Sequence, residues 1–76
     1  MESINQTLNK KLILTAFKSQ LKIHVNLVDG YFKNGTVKEM SADFFIMKKN
    51  DGYEEPIFYI EVRDVEPYIE KKKEAK

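Results

Sequence analysis

The groups that could do chemistry are few. His24 is the one histidine of a 76-residue chain that contains no cysteine. No cluster of imidazoles and thiolates can therefore hold a metal, and His24 reads as a solvated imidazole on the polar side of a strand. Twelve acidic residues offer carboxylates, but no pair stands at a spacing that sets a general acid against a general base. Glycine is too scarce for a phosphate-cradling loop, and neither a Gly-x-Ser-x-Gly turn nor a Cys-His arrangement supplies a nucleophile. The expectation is a protein that is not an enzyme, carries no cofactor and no metal, and works by binding.

Thirteen basic side chains nearly cancel the acidic ones, leaving a formal net charge of +1. A strongly basic domain is the plainest footprint of nucleic-acid binding. Here it is missing, so any partner must be recognised through a local arrangement of groups. The run Lys71-Lys72-Lys73 lies in a charged tail, 70–76, whose apolar content is Ala75 alone. Two readings stand for it: a solvated, disordered tail, and a weak electrostatic attraction for RNA.

The elements that position any binding group are organised around residues 27–37, Leu-Val-Asp-Gly-Tyr-Phe-Lys-Asn-Gly-Thr-Val. Asp29-Gly30 between two β-rich runs predicts an antiparallel hairpin with a two-residue type I′ turn, because Asp and Gly tolerate the positive φ that such a turn requires. Gly35 inside the second strand predicts a sharp bend or a close backbone approach. A sheet bent that hard curls into a small barrel. Ahead of it, Leu8, Leu12, Ile13, Ala16 and Phe17 recur on one helical face, with Asn9, Lys10, Lys11 and Lys18 on the other. This predicts an amphipathic helix over about 7–19, capped by Thr7 and lying on the open mouth of the barrel.

From Leu21 to Leu27 apolar and polar residues alternate strictly, which turns Lys22, His24 and Asn26 outward. Strands are expected over about 21–28, 31–39, 43–49, 55–61 and 65–69. Asn50-Asp51-Gly52 marks a second Asp-Gly turn, and Val62-Arg63-Asp64 a tight link before the last strand. Pro56 and Pro67 confine the fourth and last strands to sheet edges. The fold class is mainly β: an N-terminal α-helix followed by a strongly bent, five-stranded antiparallel small barrel, as one domain over 1–69.

A domain of this length buries only about 60% of the surface its unfolded chain exposes. Without disulfides or a metal, association is the remaining reinforcement, and apolar edge strands invite it. Tyr59 and Tyr68 suit a subunit interface, where tyrosine is enriched. There is neither a signal-peptide core nor an apolar run able to span a bilayer. A cytoplasmic protein with no membrane partner is expected.

The helix, the five strands, the Asp29-Gly30 turn and the glycine five residues beyond it together resemble the Sm-like family, from about Leu8 to Pro67. The bacterial, Hfq-like branch is nearest. Leu27-Val28-Asp29-Gly30-Tyr31-Phe32-Lys33-Asn34-Gly35 is similar to its L-[VL]-N-G-x-x-x-x-G, and Val62-Arg63-Asp64-Val65-Glu66-Pro67 sits where it carries I-S-T-x-x-P. The resemblance implies a ring of six or seven identical subunits, closed by the last strand of one pairing with the fourth strand of the next. Phe58, Tyr59, Ile60, Val65 and Tyr68 would then form the subunit interface. It further implies single-stranded RNA as partner, with the ring acting as an RNA chaperone or assembly scaffold.

On the RNA-binding face that the resemblance implies, Tyr31 matches a position where some relatives stack an aromatic on adenine, which suits A-rich RNA. Gly30 admits the backbone, Asn34 reads a base edge, Asn26 stands where Gram-negative relatives have a tyrosine, and Arg63 falls at the arginine of an Arg-Gly pair. The residues taken alone leave other roles open: cross-strand packing for Tyr31, a salt bridge to Asp64 or Glu66 for Arg63, and plain polar surface for the two asparagines. Elsewhere the chain departs from the family. Phe58-Tyr59-Ile60 replaces Tyr-Lys-His, Ser41-Ala42-Asp43 replaces Asp-x-Phe, Asp64 replaces the glycine after the arginine, and Lys18 is what remains of an arginine-rich rim. The rival expectation is an Sm-fold oligomeric module that has lost RNA binding and serves protein partners.

Overall fold

The computed structural model describes residues 4–68, so the expected tail at 70–76 and the end of the domain lie outside the described residues. Helix α1 (Ile4–Ser19) is followed by β1 (Ile23–Leu27), β2 (Phe32–Met40), β3 (Phe44–Lys49), β4 (Glu54–Phe58), a 3-10 turn (Tyr59–Glu61) and β5 (Val62–Pro67). The strands form one five-stranded antiparallel sheet in the order β4-β3-β2-β1-β5. This is the mainly β architecture that the sequence predicts.

The sheet turns on β2. Its first half pairs with β1, from Asn26↔Phe32 to Ile23↔Gly35, and its second half with β3, from Gly35↔Lys49 to Met40↔Phe45. The changeover falls at Gly35, where a Cβ would stand 2.1 Å from the Lys48 carbonyl oxygen and 2.8 Å from the Lys49 Cα. Only a residue without a side chain lets the strands meet so closely. Inside the curve, Ile23, Val25, Leu27, Val37, Phe45, Met47, Ile57 and Val62 form the core with Ile13 and Ala16 of the helix. Burying a large side chain of this kind stabilises by about 1.5–3 kcal/mol. One end of the inner face is closed by charge: Lys33 and Lys49 both donate to the Glu55 carboxylate, at 2.7 and 3.1 Å.

The first turn differs from the type I′ expectation. The Leu27 carbonyl accepts from Gly30 N–H at 3.0 Å, and Leu27 N–H donates to the Tyr31 carbonyl at 2.8 Å. Within this three-residue loop Gly30 alone has positive φ, +95°. The Asp29 carboxylate accepts from Tyr31 N–H at 3.0 Å. Because that bond holds Asp29 in ordinary φ, the loop is a type I turn closed by a glycine bulge.

Helix α1 starts at Ile4, ahead of the expected Thr7 cap, and buries Asn9, Ile13 and Ala16. Leu8, assigned by periodicity to the inner face, is 52% exposed. The stripe is rotated because the Asn9 amide donates to the Val62 and Arg63 carbonyls, both at 3.3 Å. An amide used in this way can be buried, and it fastens the helix to the start of β5. The helix ends at left-handed Gln20, with Leu21 N–H bonded to the Ala16 carbonyl at 3.0 Å in a Schellman arrangement.

Strand β4 stops at Phe58, short of the expected 61, and β5 begins at Val62 and so absorbs the expected Val62-Arg63-Asp64 link. Tyr59 N–H bonds the Asp43 carbonyl at 3.0 Å, and its hydroxyl donates to the Ser41 carbonyl at 2.9 Å. Val62 N–H turns back to the Tyr59 carbonyl, and the Glu61 carbonyl accepts from Val28 N–H at 2.9 Å. These bonds close a single turn inside a run of residues whose apolar pattern reads as continuous strand.

Candidate nucleic-acid interface

Because Ile23, Val25 and Leu27 are buried, His24 and Asn26 project from the outer face of β1. Cross-strand partners share a face. On β2 those partners are Asn34 and Phe32, and on β5 they are Glu66 and Asp64. Residues far apart in the chain thus form two adjacent rows, Glu66–His24–Asn34 and Asp64–Asn26–Phe32.

His24, expected free in solvent, joins the rows. Its Nδ1 bonds Asn34 Oδ1, and its Nε2 lies 3.1 Å from Asn26 Oδ1. The Asn26 amide nitrogen donates to Asp64 Oδ1 at 2.6 Å and to Glu66 Oε2 at 3.3 Å. That commitment turns the amide oxygen toward the ring and makes Nε2 a donor. Two arrangements satisfy the network: an imidazolium donating from both nitrogens, or the Nε2–H tautomer with the Asn34 amide turned about. The Phe32 ring packs 4.9 Å from the imidazole. The Asn26 hydrogen bond, chiefly, holds the Asp64 carboxyl below its ordinary pKa against the opposing effect of desolvation, and Arg63 adds to it from 3.4 Å.

Of the residues expected to meet RNA, Asn26 and Asn34 are brought together through His24. Arg63 is exposed, with its Nε on the neighbouring Asp64. Gly30 and Tyr31 stand at the hairpin tip beyond Phe32; Tyr31 is 71% exposed and Phe32 59%. His24 and Phe32 are the members that sequence reasoning left out. Strict alternation already placed His24 beside Asn26, and the hairpin register would have added Phe32.

The residues expected at a subunit interface divide. Phe58 and Ile60 lie exposed where β4 ends, Ile60 at 74%. Tyr59 belongs to the chain's own core, 3% exposed, its ring stacked on Phe45 at 5.7 Å, and burial pushes its hydroxyl pKa up. Val65 is half-buried against the core. Tyr68 N–H donates to the Lys22 carbonyl at 3.1 Å, and the Lys22 ammonium lies 5.5 Å from the Tyr68 ring. An apolar hollow of about 170 Å3 runs between α1 and β5, lined by Leu12, Ala16, Leu21, Val65 and Pro67 among others.

Among the described residues no group of three or more His, Cys, Asp or Glu side chains could hold a metal ion. No helix there is long and apolar enough to cross a membrane.

No family model matches the sequence, and a comparison with curated proteins finds no match. Among solved structures the chain is similar to the 1.55 Å crystal structure of the pleiotropic translational regulator Hfq, with a TM-score of 0.68 at 14% identity. The match covers 78% of this chain and 97% of that one. Helix, strand order and bent β2 together with this likeness show that the chain has the Sm-like fold of Hfq.

Proposed function

We propose that this chain is the subunit of a cytoplasmic ring of six or seven copies that binds single-stranded RNA, A-rich RNA included, without making or breaking covalent bonds. The observation that carries the reading is exposed Phe32, packed on His24 within the Asn26–His24–Asn34 network of the outer face, next to a glycine-closed turn from which Tyr31 is also exposed. An aromatic ring stacks on a base for about 1–3 kcal/mol and amides read its edge. Repetition around a ring adds avidity through effective concentration. The ring itself is supported by β4 and β5, which end the sheet with one side of each unpaired among the described residues. The similar protein is a translational regulator by its description, a role that a passive RNA scaffold suits.

Light scattering and fluorescence anisotropy with labelled oligo-A and oligo-U test this. A ring mass with tight, salt-sensitive binding is the expected result, and a monomer at micromolar concentration that binds neither oligonucleotide at low salt overturns it. A second reading, an oligomeric protein-interaction module without RNA, is favoured by Asp64 and Glu66. They occupy the Asn26 amide and place two carboxylates on the same face. Assembly without RNA binding is the result that selects it.

A further inference from the structure

His24 is the chain's one histidine, and imidazole is the side chain whose charge ordinarily changes between about pH 5 and 8. Its place in the outer-face rows gives that single proton a structural consequence. Asp64 and Glu66 take the Asn26 amide nitrogen, so the Asn26 oxygen meets Nε2 whatever the charge of the ring. Nε2 is a donor in both states, and the proton gained or lost is the one on Nδ1. Nδ1 faces Asn34.

The Asn34 amide has to follow it. With the proton present, Nδ1–H donates to Asn34 Oδ1, and the amide NH2 is directed away from the ring. With the proton gone, Nδ1 accepts, so the NH2 turns toward the ring and the oxygen away from it. Asn34 thus exchanges a donor for an acceptor on the side away from His24.

The charge of the face changes with it. The charged groups around the imidazole are Asp64 and Glu66 of β5, Arg63 on Asp64, and Lys22 two residues back on β1, whose ammonium lies 5.5 Å from the Tyr68 ring. β2 brings Phe32 and Asn34, neither of them ionisable. The Asp64 carboxyl is held low chiefly by the Asn26 bond, with the His24 charge adding to it. Within the network an imidazolium and Arg63 balance Asp64 and Glu66. A neutral ring leaves one carboxylate uncompensated, which opposes the approach of a phosphate.

We propose that His24 is a proton-operated switch on RNA binding at this face: the imidazolium turns the Asn34 NH2 toward the acceptor nitrogens of a bound base and offsets Asp64 and Glu66, and the neutral ring undoes both. The inference rests on the proposed RNA-binding reading and adds the regulation of that same site. Anisotropy titrations with labelled oligo-A at constant low salt, from about pH 5.5 to about 8, test it on the wild type and His24→Gln. Light scattering and circular dichroism at each pH confirm that fold and assembly are kept.

Wild-type affinity is expected to fall about tenfold as pH rises across that range, an ordinary coupling between two ligands, here RNA and a proton. His24→Gln, which keeps a polar amide but takes up no proton, is expected to bind without dependence on pH. In the free protein, nitrogen NMR spectra of the wild type should show the Asn34 NH2 titrating with the His24 ring at one midpoint. That measurement reads the turn of the amide without RNA, and without a variant should His24→Gln fail to fold. Wild-type binding as flat with pH as that of His24→Gln, or an Asn34 NH2 that does not follow the ring, overturns the switch and leaves the RNA reading standing. No binding at any pH overturns both.

Discussion

Glu55 accepts hydrogen bonds from Lys33 and Lys49 at the charged end of the core, and the Lys33 bond does most to hold its carboxyl below the ordinary range. A carboxyl whose pKa drops on folding contributes stability above its unfolded value, about 4.3. That contribution is lost as pH falls through the lower folded value. Urea midpoints are therefore expected to decline below about pH 4. Glu55→Gln should be less stable than wild type at pH 7 and show a shallower acid decline; an acid limb as steep as wild type's would show that the triad does not set it. At the hairpin tip, Tyr31→Ala is expected to weaken oligo-A binding by about tenfold or more if the ring stacks on a base. Anisotropy that does not change would return Tyr31 to the role of a surface aromatic.

At the scale of elements, the two Asp-Gly loops and the bend in β2 use glycine for different reasons, and substitution separates them. Gly30 and Gly52 have φ near +95° and open space where a Cβ would go. Alanine there meets backbone strain only, about 1–2 kcal/mol. Because the loops share one geometry, Gly30→Ala and Gly52→Ala should lower stability by similar amounts in urea unfolding. Gly35 meets the β3 backbone itself, so Gly35→Ala must part β2 from β3 or distort both. It is expected to lose about 3 kcal/mol, at the upper end of overpacking, with changed near-ultraviolet dichroism as the core around Tyr59 and Phe45 shifts. A Gly35→Ala protein as stable as Gly52→Ala would mean that the sheet can open at the bend without penalty.

For the whole molecule, the proposed ring ties stability to assembly. A chain this small exposes Ile60, Phe58, Leu12 and Leu21 around the ends of its sheet, a load of apolar surface that suits burial against another copy. Ile60→Asp adds charge at a position 74% exposed in the single chain, where it cannot disturb the chain's own core. Light scattering is expected to show the loss of the ring with circular dichroism unchanged, and RNA affinity should fall with it as avidity disappears. An Ile60→Asp ring of wild-type mass would place the subunit contact elsewhere.

Much of this molecule is written locally. The alternation from Leu21 to Leu27 determines by itself which β1 residues face water, and Gly35 marks the bend because nothing larger fits a close crossing. The helix, too, follows from its repeat of apolar residues, though not its orientation. The remaining features depend on partners distant in the chain. Asn9 is buried because Val62 and Arg63 offer it carbonyls, and Tyr59 is core because Ser41 and Phe45 receive it. His24 reaches Asn34 and Asn26, and through Asn26 Asp64, because β2 and β5 are registered on either side of β1. A period of two records the face on which a residue lies but not its neighbour across the strand. Register is decided by the burial of the whole core at once, and so the tertiary structure alone assembled the candidate site.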